Sequence, residues 1–161
     1  MSVGGGLRTL PIHLQSASHR QDGSAQCKVI NMPVGEELQR LDQSLLAFDP
    51  AFRAFASKHH LTLTRSEKES VGRSFRWGKG PHGLIQLFLG NLERGEWKLW
   101  ACCSQDRGGE RFWKTQYLID GQPLEAFADT LPALLEEGLK LVNEWRTHPE
   151  QLEFATKLRW H

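Results

Sequence analysis

The chain is poor in cysteine, and its few cysteines lack the spacing of a disulfide framework or of a metal site. Only three occur in 161 residues, and the sequence contains neither a Cys-x-x-Cys nor a His-x-x-x-His pair. An odd cysteine count in a chain of this length does not indicate a disulfide framework, and zinc needs about four converging ligands. The sequence therefore predicts no metal, no cofactor and a reducing compartment.

Long hydrophobic runs and a strong excess of charge are also missing. No apolar run approaches the length that crosses a bilayer, and the first six residues lack the basic and apolar regions of a signal peptide. The 20 basic residues balance 19 acidic ones, so the net charge of +1 lacks the basic excess typical of nucleic-acid-binding proteins. We expect a cytoplasmic protein without a membrane partner.

Motifs that identify common enzyme classes are absent. There is no Gly-x-Ser-x-Gly elbow of an α/β-hydrolase, and the carboxylates are scattered without an acid–base spacing. The glycine-rich segment 78–83 contains Lys79, but an apolar strand pattern follows it where a phosphate-binding loop needs a helix. These absences favour a protein that is not an enzyme and has no catalytic residues, although a cysteine–histidine pair formed in three dimensions stays open.

Alternating segments rich in tryptophan fill the middle of the chain, from Arg73 to Asp120. Apolar and polar residues alternate in these segments, and short glycine-containing stretches separate them. Because parallel strands need long crossover connections, such short connections indicate an antiparallel meander. We predict four or five strands, built from residues 61–64, 74–77, 84–89, 96–105 and 111–119.

Helical patterns lie on both sides of this predicted sheet. Leucines recur at helical spacing before Asp49–Pro50, a pair that is itself typical of a helix start. A long amphipathic stripe follows Thr130, and apolar spacing over residues 152–158 predicts a further helix to the end of the chain. The sequence thus predicts one α+β domain over residues 33–161, with helices mainly on one face of the sheet. Residues 1–32 are predicted to form a flexible or loosely docked arm.

Period-two alternation gives the predicted sheet two different faces. Ile85, Leu87 and Leu89 form an aliphatic face that suits packing under the long C-terminal helix. The opposite face is mixed, with aromatic rings beside polar groups, and such side chains are favoured in binding surfaces. The binding surface predicted on this face consists of Arg76, Gln86, Phe88, Trp100, Trp113 and Tyr117. The arm or the flanking helices could instead cover this face.

Three functions fit these features. The leading hypothesis is a non-enzymatic protein-binding module of the adaptor, chaperone-like or toxin-neutralising type, whose partner is another protein. The first alternative is a small-molecule-binding protein or weak enzyme with a pocket lined by Cys102, His82 and Tyr117. The second is single-stranded nucleic-acid binding through the basic and aromatic stretch Arg73–Lys79. The sequence leaves the oligomeric state open.

Overall fold

The computed structural model describes the backbone of residues 24–66 and 70–158 and the side chains within 35–66 and 70–158. Most of the predicted arm, residues 1–23, lies outside these described residues. The backbone of residues 24–32 belongs to a helix that continues to Leu46. Within the described part of the chain, no helix is both long enough and apolar enough to cross a membrane.

Four helices and six strands follow one another along the described residues. The helices are α1 (Ser24–Leu46), α2 (Asp49–Lys58), α3 (Leu124–Phe127) and α4 (Leu131–Thr147). The strands are β1 (Thr62–Ser66), β2 (Gly72–Arg76), β3 (His82–Asn91), β4 (Glu96–Arg107), β5 (Glu110–Pro123) and β6 (Glu153–Lys157). A short 3₁₀ turn, Pro149–Gln151, connects α4 to β6.

All six strands form one antiparallel sheet in which each strand pairs with its neighbours in the sequence, in the order β1 to β6. The predicted α+β class and antiparallel meander are therefore confirmed. The prediction of four or five strands is wrong, because a sixth strand extends the sheet beyond β5.

The sixth strand lies where the apolar spacing predicts a helix. Glu153–Lys157 pairs with the start of β5, and the ring of Phe154 packs edge-on against Phe112 at a centroid distance of 5.9 Å. The apolar positions over residues 152–158 are too few to sustain an isolated helix. Pairing with β5 instead satisfies backbone hydrogen-bonding groups and buries Ala155. This segment therefore forms a strand.

The helices α2 and α4 pack on the same side of the sheet, which we call the helix face. Phe75 of β2 meets the rings of Phe52 and Phe55 from α2 at centroid distances of 5.7 and 5.3 Å. Gly138 of α4 lies so close to the sheet that a Cβ atom there would be 3.1 Å from Leu118 Cδ1. The aliphatic side chains predicted for this face of β3 are buried in the core.

A β-bulge in β5 changes which side chains share a face. Trp100 of β4 pairs with Tyr117, whereas the preceding Leu99 pairs with Ile119, so Leu118 is the extra residue. Strict alternation would place Ile119 beside Tyr117. Because of the bulge, Ile119 instead points to the helix face, where it is buried. Tyr117 therefore has no aliphatic neighbour at position 119 on the mixed face.

A buried ionic cluster joins α1 and α2 to the helix face of the sheet. Arg73 of β2, which is 1% exposed, donates from Nε to Asp49 Oδ1 and from Nη1 to Asp42 Oδ1, both at 2.8 Å. Arg65 of β1 also binds Asp42. Burial alone would raise the pKa of Asp42, but hydrogen bonds from the two arginines outweigh it and lower that pKa.

Candidate functional site

The strand register defines the mixed face of the sheet. Gln86, Trp100 and Tyr117 lie in one row across β3, β4 and β5, because Trp100 pairs with Gln86 on one side and with Tyr117 on the other. Side chains two or four residues apart on a regular strand point to the same side. Phe88 therefore shares the face of Gln86, and Trp113 shares the face of Tyr117.

Arg76 of β2 completes this face. It pairs with Leu84 of β3, which lies two residues before Gln86 and so points to the same side. The register thus places all six side chains of the predicted binding surface on one face of the sheet. This is the face opposite to the one on which α2 and α4 pack.

Three aromatic rings cross the mixed face in a continuous row that goes from buried to exposed. Phe88 meets Trp100 edge-on with the centroids 5.9 Å apart, and Trp100 stacks on Tyr117 at 5.6 Å. Trp100 Nε1 donates to Gln86 Oε1 at 3.1 Å, which satisfies both buried polar groups. Phe88 is 1%, Trp100 5% and Tyr117 39% exposed, so the outermost ring rests on a rigid aromatic base.

Charged groups surround the exposed ring of Tyr117. Lys98 Nζ lies 5.3 Å from the ring centroid, and it also pairs with Asp120 Oδ1 at 3.2 Å. Burial raises the pKa of Tyr117, and the nearby Lys98 partly opposes this effect. The hydroxyl is therefore neutral at pH 7, where it both donates and accepts hydrogen bonds.

Only part of the predicted binding surface reaches solvent. Its buried members are Gln86, Phe88 and Trp100. Thr115, which the sequence prediction omitted, is exposed on the same face between two aromatic neighbours. A threonine in an alternating strand carries no binding signal of its own, so only the register could identify it. We give the name exposed rim to four side chains of this face: Arg76, Thr115 and Tyr117, which are exposed, and Trp113, which is half-buried.

The two adjacent cysteines point to opposite faces, as alternation predicts. Cys102 lies on the mixed face and Cys103 on the helix face, and both are buried. Burial raises the pKa of Cys102 to about 12 and that of Cys103 to about 11. Both groups are therefore protonated at neutral pH, whereas the nucleophile in cysteine chemistry is the thiolate. His82, named with Cys102 for a pocket, is exposed at the start of β3.

The basic residues named for nucleic-acid binding do not share a surface. Arg73 is buried on the helix face between two carboxylates, while Arg76 is exposed on the mixed face. Lys79 lies in the turn after β2, where its carbonyl accepts a hydrogen bond from α4. Trp77 is tied to the same helix, because its Nε1 donates to Asn143 Oδ1 at 2.9 Å. The stretch Arg73–Lys79 therefore does not form one row of cations beside stacking rings.

Neither a metal cluster nor a known relative indicates a function. Among residues 24–66 and 70–158, no group of three or more His, Cys, Asp or Glu side chains is placed to hold a metal ion. A scan of protein-family models, a search of curated proteins and a search of solved structures each return no match. Function must therefore be inferred from the chemistry of the mixed face itself.

Proposed function

We propose that this chain is a non-enzymatic protein-binding module whose partner contacts the exposed rim of the mixed face. The observation that supports this most is the ring of Tyr117, which stays 39% exposed although it stacks on the buried Trp100. A large ring that is already held in place loses little conformational entropy when a partner covers it. The side chain of Tyr117 is thus already ordered before a partner binds.

The composition of the exposed rim supports the same proposal. Tryptophan, tyrosine and arginine are the residue types most enriched among the side chains that carry binding energy at protein interfaces. The rim holds one of each, in Trp113, Tyr117 and Arg76, and Thr115 adds a small hydrogen-bonding group. A rim of this kind offers apolar area, a fixed positive charge and several polar groups within one surface.

Two titratable groups of the mixed face, Cys102 and Asp106, are poorly suited to acid–base catalysis. Cys102 is buried and protonated. Asp106 is committed to Arg111, whose Nε donates to it at 2.8 Å; this hydrogen bond lowers the pKa of Asp106. A general acid or base works best with a pKa near the operating pH, and neither of these groups has one.

Photocrosslinking in the cells that produce the protein tests the proposal. Tyr117→p-benzoylphenylalanine keeps an aromatic ring at the rim and adds a group that bonds to a neighbouring protein on irradiation. The matched control carries the same residue at Thr64, which is exposed on the mixed-face side of β1 at the far edge of the sheet. We expect a discrete protein adduct from position 117 and none from position 64.

The adduct must also depend on the rest of the rim. Adding Trp113→Ala or Arg76→Ala to the crosslinking variant is expected to reduce the adduct at least several-fold, because each removes a side chain of a type that carries binding energy. Adding Gln116→Ala, which changes an exposed side chain on the other side of the same strand, is expected to leave it unchanged. An absence of adducts at position 117, or equal adducts at positions 117 and 64, would contradict the proposed function.

A further inference from the structure

The outer edge of β5 is only partly covered by its neighbour in the sheet. The strand runs from Glu110 to Pro123, but β6 pairs with it only between Glu110 and Trp113. Beyond Trp113, no other described strand pairs with this edge. A strand edge of this kind presents a row of backbone N–H and C=O groups, which is a template for pairing with another chain.

Side-chain exposure shows how open this edge is. Thr115, Gln116 and Tyr117 are exposed one after another, whereas a strand covered on one face buries every second residue. In the described part of the chain, the backbone of Lys114–Asp120 makes no backbone hydrogen bond outside the strand ladders. The free edge, Lys114–Asp120, is thus open on the mixed-face side at Thr115 and Tyr117 and on the helix-face side at Gln116. Only Ile119, near its end, is buried on the helix face. The exposed rim lies beside this edge.

The other edge of the sheet does not combine these features. The strand β1 has five residues and ends beside residues outside the described part of the chain. Its side chains on the mixed-face side are Thr62, Thr64 and Ser66. Arg65 points to the helix face and is engaged with Asp42 of the buried ionic cluster. Aromatic side chains beside an open edge therefore occur at β5 and not at β1.

We propose that the partner of this chain binds as an extended peptide segment that adds a seventh strand along the free edge of β5. This proposal rests on the proposed function and names the form in which the partner binds. Main-chain hydrogen bonds to residues 114–120 give affinity, and the rim side chains select the sequence. Seven residues at about 3.4 Å each give an edge of about 24 Å, enough for a segment of roughly seven residues.

The side chains along the edge define the chemistry of this segment. On the mixed face, every second residue of the added strand lies beside Thr115 or Tyr117, and apolar or aromatic side chains pack best there. Lys98 and Arg111 are already paired with carboxylates, but Lys114 makes no ion pair with any described residue. We therefore expect an acidic residue in the segment opposite Lys114, on the helix-face side.

A random twelve-residue peptide-display library, selected against the full chain, supplies the probe. We expect the selected peptides to share apolar residues at every second position and an acidic residue between them. The best peptide is then synthesised with one N-methyl group at each position in turn. Strand addition predicts that methylation at every second residue weakens binding about tenfold or more, because it removes a hydrogen-bond donor facing β5. Methylation at the intervening residues is expected to change affinity only a few-fold.

Amide hydrogen exchange tests strand addition independently, by changes in the protein and not in the peptide. The amides of Lys114–Asp120 that point away from β4 are expected to gain protection when the peptide binds. The amides of β1 serve as the matched control and are expected to keep their exchange rates. Equal protection changes at both edges, or none along residues 114–120, would overturn strand addition.

The outcomes separate this inference from the proposed function. If every N-methylated peptide binds normally while Tyr117→Ala abolishes binding, the rim binds a partner and strand addition is wrong. A library that yields no peptide whose binding depends on the free edge also overturns strand addition, and crosslinking at position 117 still decides the proposed function. Peptides that bind regardless of both the rim and the edge contradict both proposals.

Discussion

Arg73 and Arg76 belong to the same short strand, yet their surroundings differ completely. Arg73 points to the helix face, where two carboxylates enclose its guanidinium and only 1% of the residue is exposed. Arg76 points to the mixed face and is exposed to solvent. The same side chain thus holds two helices against the sheet at one position and is available to a partner at the other.

The two faces of the sheet differ in the same way. The helix face is closed by α2 and α4, and its polar groups are matched within the core. The mixed face has a buried aromatic row, but that row ends in the exposed rim. We therefore expect contact with a partner only from side chains that lie on the mixed face and also reach solvent. Matched pairs of variants test this difference.

Removing the buried guanidinium is expected to have the largest effect. Arg73→Met leaves two buried carboxylates without their shared partner and should lower the free energy of unfolding by about 3–5 kcal/mol. Arg76→Met on the opposite face should change it by less than about 0.5 kcal/mol. Urea unfolding of both variants measures the contrast, and equal losses would show that the two faces do not differ as described.

The aromatic row provides the second pair. Trp100→Ala removes the central ring and leaves Gln86 without its hydrogen-bond partner, so we expect a loss of about 3–5 kcal/mol in unfolding free energy. Tyr117→Ala removes a ring that is partly solvated and is expected to cost about 1 kcal/mol. The same Tyr117→Ala protein should lose partner binding while it remains folded. A Tyr117→Ala protein as unstable as Trp100→Ala would make Tyr117 a core residue rather than a contact.

Two glycines of β3 provide the third pair. A Cβ atom at Gly83 would lie 2.7 Å from Val142 Cγ1 of α4 and 2.8 Å from the ring of Trp77. Gly83→Ala therefore overpacks the helix face and is expected to cost about 1–3 kcal/mol. The atoms nearest to a Cβ at Gly90 would be Cγ, Cδ and Cε of Lys98, at 2.8 to 3.0 Å. Because a lysine stem rotates more readily than Val142 or the Trp77 ring can move, Gly90→Ala is expected to cost less than Gly83→Ala. Thermal unfolding of the two variants checks the order.

The smallest expected effect is the acid dependence of the buried ionic cluster. The pKa of Asp42 in the folded protein is lowered, so its ionised form stabilises the fold above the unfolded pKa of about 4. That contribution is lost as the pH falls through the lower folded pKa. The unfolding free energy of the unmodified protein should therefore fall below about pH 4, and Asp42→Asn should make this fall shallower. An identical acid dependence in both proteins would exclude Asp42 as its source.

The antiparallel meander and the assignment of side chains to faces follow from local pattern. Alternation in β3 and β4, with glycine-containing turns between strands, is enough to place Gln86 and Trp100 on one face and Leu87 on the other. Because these features depend on residues that are close together in the sequence, they can be predicted from the sequence alone. The same pattern also identifies the aromatic character of the candidate site.

The remaining features depend on contacts between distant residues. The bulge that turns Ile119 away from Tyr117 appears only when β5 pairs with β4. Residues 153–157 form a strand because β5 offers an edge, which their own spacing does not reveal. The burial of Arg73 depends on two carboxylates that lie 31 and 24 residues earlier in the chain. No local pattern separates a buried arginine on a strand from an exposed one.

Hydroxyl-radical footprinting distinguishes the exposed rim from the buried aromatic row, because it measures solvent access at each aromatic ring in one experiment. In the free protein we expect oxidation at Tyr117 and Trp113 and strong protection at Trp100 and Phe88. In the complex isolated through a terminal affinity tag on the protein, Tyr117 and Trp113 should become protected while the exposed Phe154 of β6 stays reactive. Protection of Tyr117 already in the free protein, or its unchanged oxidation in the complex, would show that the exposed rim is not where the partner binds.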